Sequence, residues 1–141
     1  MREFFDTSVL VAAFWRAHVH HDASIKLLAA ADKERSACSI HSLAELYATM
    51  SALPVKPMIP TEQVLLFIEE VQARLTLVSL NESEYAETIH SAAGQAVTGG
   101  RIYDALLLRC AAKCRAETIY TWNLKHFRAV AAGLTEQIRT P

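Results

Sequence analysis

The sequence predicts an α/β fold, a mostly parallel sheet of four to five strands covered on both faces by helices. Three observations carry this expectation. Short apolar runs alternate along the chain with longer segments of helical periodicity. No internal repeat, low-complexity tract or linker interrupts the alternation, so residues 1–141 read as a single domain. A chain of 141 residues can also bury a proper core without disulfide or metal staples. Strands that alternate with helices imply parallel pairing and a sheet covered on both sides.

Arg2 to Asp6 reads as a short buried strand, followed by a helix from Ser8 to Arg16 and another from His20 to Ala31. Ser36 to Ile40 is the next strand. Ser42 to Leu53 is a helix with Leu43, Leu46, Tyr47 and Met50 on one face. The proline-rich stretch Pro54 to Pro60 breaks that helix and introduces the next, with Thr61 as its N-cap. Thr61 to Leu75 carries Val64, Phe67, Ile68, Val71 and Leu75 at helical spacing. Leu65 and Leu66 lie off that stripe and suit a second face covered by a partner.

Leu75 to Leu80 is the third strand. Asn81, with Glu84 three residues on, makes a capping-box pattern that opens a helix reaching Ala96, and Thr98-Gly99-Gly100 ends it. Arg101 to Cys114 is apolar on nearly every side and is therefore expected at the centre. Thr118 to Thr121 is the fourth strand, Leu124 to Ala131 a short helix and Gln137 to Arg139 a last edge strand. In such sheets, sites form beyond the carboxyl ends of the strands. Asp6 and Asn123 fall at or just after such ends.

Bulk properties exclude some partners. A formal net charge of -1 offers no global attraction to nucleic acid, so contact with an anionic polymer needs a local patch. Cys38, Cys110 and Cys114 suggest no disulfide framework, and no second ligand pair completes a zinc set around Cys110 and Cys114. They read as reduced packing thiols of a cytosolic protein. Arg2-Glu3 leads straight into a strand with no signal-peptide pattern, and no apolar run approaches the ~20 residues that span a bilayer. The expectation is a cytoplasmic protein with no membrane partner.

Three acids stand in apolar company: Asp6 in Phe4-Phe5-Asp6-Thr7-Ser8-Val9-Leu10, Glu45 in Ser42-Leu43-Ala44-Glu45-Leu46, and Asp104 in Ile102-Tyr103-Asp104-Ala105-Leu106. Carboxylates set among hydrophobic neighbours repel one another unless a cation sits between them. That points to a divalent metal and to chemistry on phosphates. Each acid also has a local explanation. Asp6 suits an N-cap, and Glu45 closes a capping box with Ser42. Asp104 sits in a first helical turn, where the macrodipole favours a negative charge by roughly 0.3–1 kcal/mol, with Arg101 near enough to pair. So small a gain does not offset burying a carboxylate, which favours function at Asp104.

Other polar residues carry less. His20, His21 and Asp22 are adjacent, cannot converge on one ion, and read as the opening of the second helix. His41, His90 and His126 are scattered and read as surface or supporting residues. Thr7 and Ser8 follow Asp6 closely enough to bond a metal-held water or a phosphate, although helix-start residues need no such role. Arg16, Arg101, Lys125 and Arg128 offer positive charge, but isolated surface cations are usually just solvated.

With these residues in place, the chain resembles a PIN-domain nuclease, and more narrowly a VapC-type toxin of a toxin–antitoxin pair. The resemblance spans essentially the whole chain. It rests on Phe5-Asp6-Thr7-Ser8-Val9-Leu10, Ala44-Glu45-Leu46, Tyr103-Asp104-Ala105-Leu106 and Thr121-Trp122-Asn123-Leu124-Lys125-His126-Phe127, in this order. It implies a three-layer α/β/α sandwich around a parallel sheet. It also implies that Asp6, Glu45 and Asp104 hold Mg²⁺ or Mn²⁺, Asp6 and Asp104 directly and Glu45 through water or as a proton acceptor. The family's fourth acid falls at Asn123, a neutral oxygen that adds no charge and puts a tightly bound second metal in doubt. Thr121 and Asn123 would position water or substrate. The implied reaction is metal-assisted, in-line hydrolysis of an RNA phosphodiester, with no covalent nucleophile. A structured single-stranded loop, such as that of a tRNA, is the substrate this suggests. A cognate antitoxin and a homodimer are implied likewise, and Leu65 and Leu66 suit either contact.

The sequence shows no RNA-recognition module and no aromatic ladder for stacking bases. Two other enzyme classes place an aspartate after the first strand. A haloacid-dehalogenase-like phosphatase needs a second aspartate two residues later, where Ser8 stands. A receiver domain needs an acidic pair, and only Asp6 is present. The surviving alternative is a PIN-fold binding or regulatory module that cleaves weakly or not at all.

Overall fold

Successive side chains of a strand point to opposite faces, yet both Phe4 and Phe5 of β1 (Glu3–Phe5) are wholly buried. Only a strand covered on both sides permits this. The structure, a computed structural model, describes residues 1–131 and 133–141. In it β1 pairs in parallel with β2 (Ser36–Ser39) on one side and β4 (Thr118–Tyr120) on the other. β3 (Thr76–Val78) lies beyond β2 and β5 (Ile138–Arg139) beyond β4, giving the order β3-β2-β1-β4-β5 with every pairing parallel.

The helices are α1 (Thr7–Phe14), α2 (His21–Ala29), α3 (His41–Ser51), α4 (Thr61–Arg74), α5 (Glu82–Gly94), α6 (Arg101–Lys113) and α7 (Leu124–Val130). Phe5 and Cys38 face a core completed by Val9 and Leu10 of α1, Leu46 and Met50 of α3, and Val64 and Val71 of α4. Phe4, Ala37 and Ile119 face the opposite core, with Leu107, Leu108 and Ala111 of α6 and Phe127 of α7. The result is the expected three-layer sandwich. The strand order runs outward from β1 through β2 to β3, then resumes at β4 on the other side of β1. That reversal opens a crevice at the carboxyl ends of β1 and β4.

Most elements fall where the sequence places them, with strands shorter by one to three residues. Asn81 forms the full capping box. Its side chain accepts from the Glu84 amide at 2.8 Å, and its own amide donates to Glu84 Oε2 at 2.9 Å. Two expectations are corrected at helix ends. Pro60, not Thr61, flanks α4, because Thr61 is already its first helical residue. Ser42 is not a cap either: α3 has begun by His41, and Ser42 is fully buried.

The helix expected to be apolar nearly all round is one-sided. Leu106, Leu107, Leu108, Cys110 and Ala111 of α6 are buried, whereas Tyr103, Arg109 and Lys113 are exposed. Lys113 bonds Glu84 at 2.7 Å, so α6 lies against the sheet between α5 and α7 with a polar outer stripe. The three cysteines are free, and burial pushes the Cys38 thiol up to about 12, as suits packing. Among the described residues no helix is long and apolar enough to cross a membrane. Leu65 and Leu66 are exposed on α4.

Candidate active site

Asp6 ends β1 and begins α1. Its amide donates to Tyr120 O at 2.9 Å, continuing the sheet, and its carbonyl accepts from the Val9 amide at 3.0 Å, starting the helix. Its side chain makes no capping bond of good geometry, although the amides of Ser8 and Thr7 at the start of α1 favour its charged form. Asp6 Oδ2 instead accepts from Ser8 Oγ at 2.6 Å and from Thr121 Oγ1 at 2.8 Å. The same hydroxyls are held in turn: Trp122 N donates to Ser8 Oγ at 3.0 Å, and Asn123 N to Thr121 Oγ1 at 3.0 Å. This net ties the ends of β1 and β4 together.

Asp6 is only 3% exposed, and among the described residues no cation pairs with it. Burial pushes its carboxyl upward, and the bonds from Ser8 and Thr121 pull it part of the way back.

Glu45 comes from α3. Thr7 Oγ1 donates to Ser42 Oγ at 3.0 Å and to Glu45 Oε1 at 3.2 Å, so the serine and glutamate that resemble a capping box share one threonine hydroxyl instead. Burial, then the charge of Asp6, raises the Glu45 carboxyl to about 7. His41 Nε2 stands 3.7 Å from Glu45 Oε1. Asp104 lies in the first turn of α6. Burial and Asp6 raise it to about 6, against a pull from His126 and Arg101, neither of which forms an ion pair with it. Three acids remote in sequence therefore sense one another.

The three line one cleft of about 290 Å³, together with Thr7, Ser8 and Asn123. Thr121 is fully buried behind Asp6 and is not in the cleft wall, so its hydroxyl faces the carboxylate rather than bulk water. Asn123 is exposed, and its side chain caps nothing. His20 opens α2 without a side-chain capping bond, and His21 Nδ1 lies 3.0 Å from Ala12 O.

The donor set is hard carboxylate oxygen, which suits Mg²⁺ or Mn²⁺ better than a soft or imidazole-seeking ion. A buried acid without a protein cation partner fits such an ion as well. Among the described residues, however, no three His, Cys, Asp or Glu side chains are drawn together tightly enough to cage an ion as they stand. The acids share a cleft but do not form a closed cage.

Reading the sequence alone misses the aromatic rings beside the acids. His20 stacks on Trp122 with centroids 3.6 Å apart, and His41 stacks on Tyr103 at 5.3 Å. His18 and Trp122 line the cleft. The only sequence signal was that Trp122, His41 and Tyr103 each stand within four residues of a candidate site residue.

Residues 4–133 match the PIN domain family, and the chain belongs to that family. Within it the chain is VapC-like. It is 34% identical over 113 residues to "Ribonuclease VapC27" of Mycobacterium tuberculosis, a match covering 79% of this chain and 78% of that protein. Among solved structures it shares its fold with a chain of VapBC2 from Rickettsia felis, bound to a DNA fragment from their promoter. The TM-score is 0.62 and the identity 23%, over 92% of this chain and 93% of that one. It also matches VapBC-1 from nontypeable Haemophilus influenzae, with a TM-score of 0.64 and 18% identity over 99% of this chain and 98% of that one.

Proposed function

We propose that this chain is a metal-dependent endoribonuclease, the toxin of a toxin–antitoxin pair, which hydrolyses RNA phosphodiester bonds with water. The observation that carries the reading is the meeting of Asp6, Glu45 and Asp104 in one cleft at the strand-order reversal. Membership of the PIN domain family and the likeness to Ribonuclease VapC27 support it.

Asp6 and Asp104 are the direct ligands for Mg²⁺ or Mn²⁺ in this reading. When bound, such an ion makes a water nucleophilic at neutral pH and offsets charge on the phosphoryl oxygens. Ser8 and Thr121 fix Asp6 Oδ2 from behind, leaving the rest of the carboxylate to the cleft. Thr7 donates to Glu45 Oε1, and in this reading Glu45 binds the ion through water or takes the proton of the attacking water. Asn123 presents a neutral amide that orients water or a phosphate oxygen. The substrate is RNA, in a single-stranded loop such as that of a tRNA. The partners are a cognate antitoxin and a second copy of the chain, with Leu65 and Leu66 supplying exposed apolar surface. The protein acts in the cytoplasm.

A second reading, a PIN-fold module that binds without cleaving, is favoured by one observation. A neutral, exposed Asn123 stands where the resemblance leads one to expect a fourth acid. Incubating the purified protein with RNA and Mg²⁺ or Mn²⁺ separates the two. Cleavage that EDTA stops, and that Asp6→Asn and Asp104→Asn both lose along with growth arrest, supports the nuclease. Full activity in either variant overturns the assigned roles.

A further inference from the structure

The nuclease reading leaves an electrostatic difficulty. The chain carries a net charge of -1, and the cleft presents three carboxylates. Most nucleic-acid binding draws its affinity from lysine and arginine neutralising phosphates. Here an ion held by the acids would attract one phosphate, and the basic groups acting on the acids are few, Arg101 and His126 near Asp104 and His41 near Glu45. A further source of affinity would serve such a site.

The aromatic pairs supply one. His20 and Trp122 stack almost parallel, 6° apart, and Trp122 is in the cleft wall on the side of Asp6. That indole is pinned: its Nε1 donates to Ser24 Oγ at 2.8 Å and its backbone amide to Ser8 Oγ at 3.0 Å, while Ser24 is itself fully buried. His41 and Tyr103 stack 10° apart on the side of the other two acids. His41 sits 3.7 Å from Glu45, and Tyr103 immediately precedes Asp104. Tyr103 is 47% exposed, and its hydroxyl bonds to nothing among the described residues, so packing alone explains it poorly. A ring held as Trp122 is, in the cleft wall, loses little entropy when a base stacks on its pair.

We infer that the His20–Trp122 and His41–Tyr103 pairs are stacking platforms for the two bases flanking the phosphodiester presented to Asp6, Glu45 and Asp104. The inference rests on the nucleic-acid reading of the cleft and deepens it. It adds to the single-stranded substrate already proposed that the two bases are splayed apart, because stacked bases within a duplex cannot reach side-chain rings. Such stacking tolerates many sequences, because every base has a π-face.

The test uses the full chain in Ca²⁺ and fluorescence anisotropy. The probes are a fluorescein-labelled single-stranded 12-nucleotide oligo(A) and an abasic strand of the same length. The wild type should bind oligo(A) at least tenfold more tightly than the abasic strand. Trp122→Ala and Tyr103→Ala should each remove roughly a tenfold share of that preference. Trp122→Phe and Tyr103→Phe should keep most of it, and melting curves confirm that all variants are folded. Equal affinity for both strands in the wild type overturns the inference, as do folded alanine variants with undiminished preference. RNA cleavage in Mg²⁺ is scored separately. Preference without cleavage defeats the nuclease reading and leaves the platforms standing, whereas cleavage without preference does the reverse.

Discussion

Two groups of acids in this molecule behave in opposite ways. On the outer surface, Asp32 pairs with Arg35 at 2.7 Å and Glu84 pairs with Lys113 at 2.7 Å, and both carboxyls are held below their ordinary values by those partners. In the cleft, Asp6, Glu45 and Asp104 are all raised, first by burial and then, for Glu45 and Asp104, by the charge of Asp6. The difference is one of company. A surface acid recruits a basic neighbour or a helix start. Asp6 and Glu45 are given hydroxyl donors, and the basic groups nearby (His41 beside Glu45, Arg101 and His126 acting on Asp104) do not offset the burial, an arrangement that costs stability unless more positive charge is supplied.

The sharpest way to break this comparison is to neutralise one cleft acid. Asp6→Asn and Asp104→Asn should each lower RNA cleavage by roughly a thousandfold or more, since an ion's stabilisation of the transition state amounts to several kcal/mol. Single-turnover rates in Mg²⁺ check this. Next in size is the response to the ion itself. Titrating Mg²⁺ or Mn²⁺ into the wild type should raise its melting temperature, with a gain of about 2.7 kcal/mol at a hundred times the dissociation constant. Asp6→Asn should respond far less. A wild type indifferent to both ions would remove the cation from the account of the cleft.

How much of this was legible in the chain follows from the range of each interaction. The Asn81–Glu84 capping box spans three residues and is made as the sequence suggests. Ser42 and Glu45 show the same spacing, yet that box does not form. The preceding Ile40 keeps helical dihedrals, and Thr7, from another helix, captures both side chains. The acids stood out because each is a charge in an apolar run. Thr121 looked like a water-positioning residue, but the sheet register buries it behind Asp6. The aromatic pairs were illegible for a plainer reason. His20 and Trp122, like His41 and Tyr103, meet only after the sheet has closed, and no local pattern marks rings that distant as partners.

A smaller effect sharpens the comparison by its sign. Glu45→Gln keeps an acceptor for Thr7 and removes a repelled, partly buried charge. Without added ion it should stabilise the protein by about 1 kcal/mol, roughly 3–5 °C in melting temperature, while lowering activity. Glu84→Ala should move the melting temperature down, because it removes the acceptor for the Asn81 amide and for Lys113 together. Calorimetry on the two variants decides it. Shifts of the same sign would mean that the cleft acids are ordinary structural charges.

The smallest effect belongs to the surface pair with good geometry. Asp32 does two jobs with two oxygens: Oδ1 accepts from the Glu34 and Arg35 amides at 3.0 Å each, and Oδ2 holds the Arg35 guanidinium. Asp32→Asn keeps the first job and loses the second, so it should shift the melting temperature less than Glu45→Gln does. Asp32→Ala loses both and should cost more, with the turn rather than the ion pair accounting for the difference. The pH dependence follows from the direction of the shift. Because Asp32 is held below its ordinary 3.8, the pair contributes fully at neutral pH, and that contribution fades only as pH falls below that value. Melts of Asp32→Asn and wild type at pH 7 and pH 3, at low and high salt, read this directly. A gap between the two proteins that survives high salt would mean that the exposed pair is doing more than screened surface charges can.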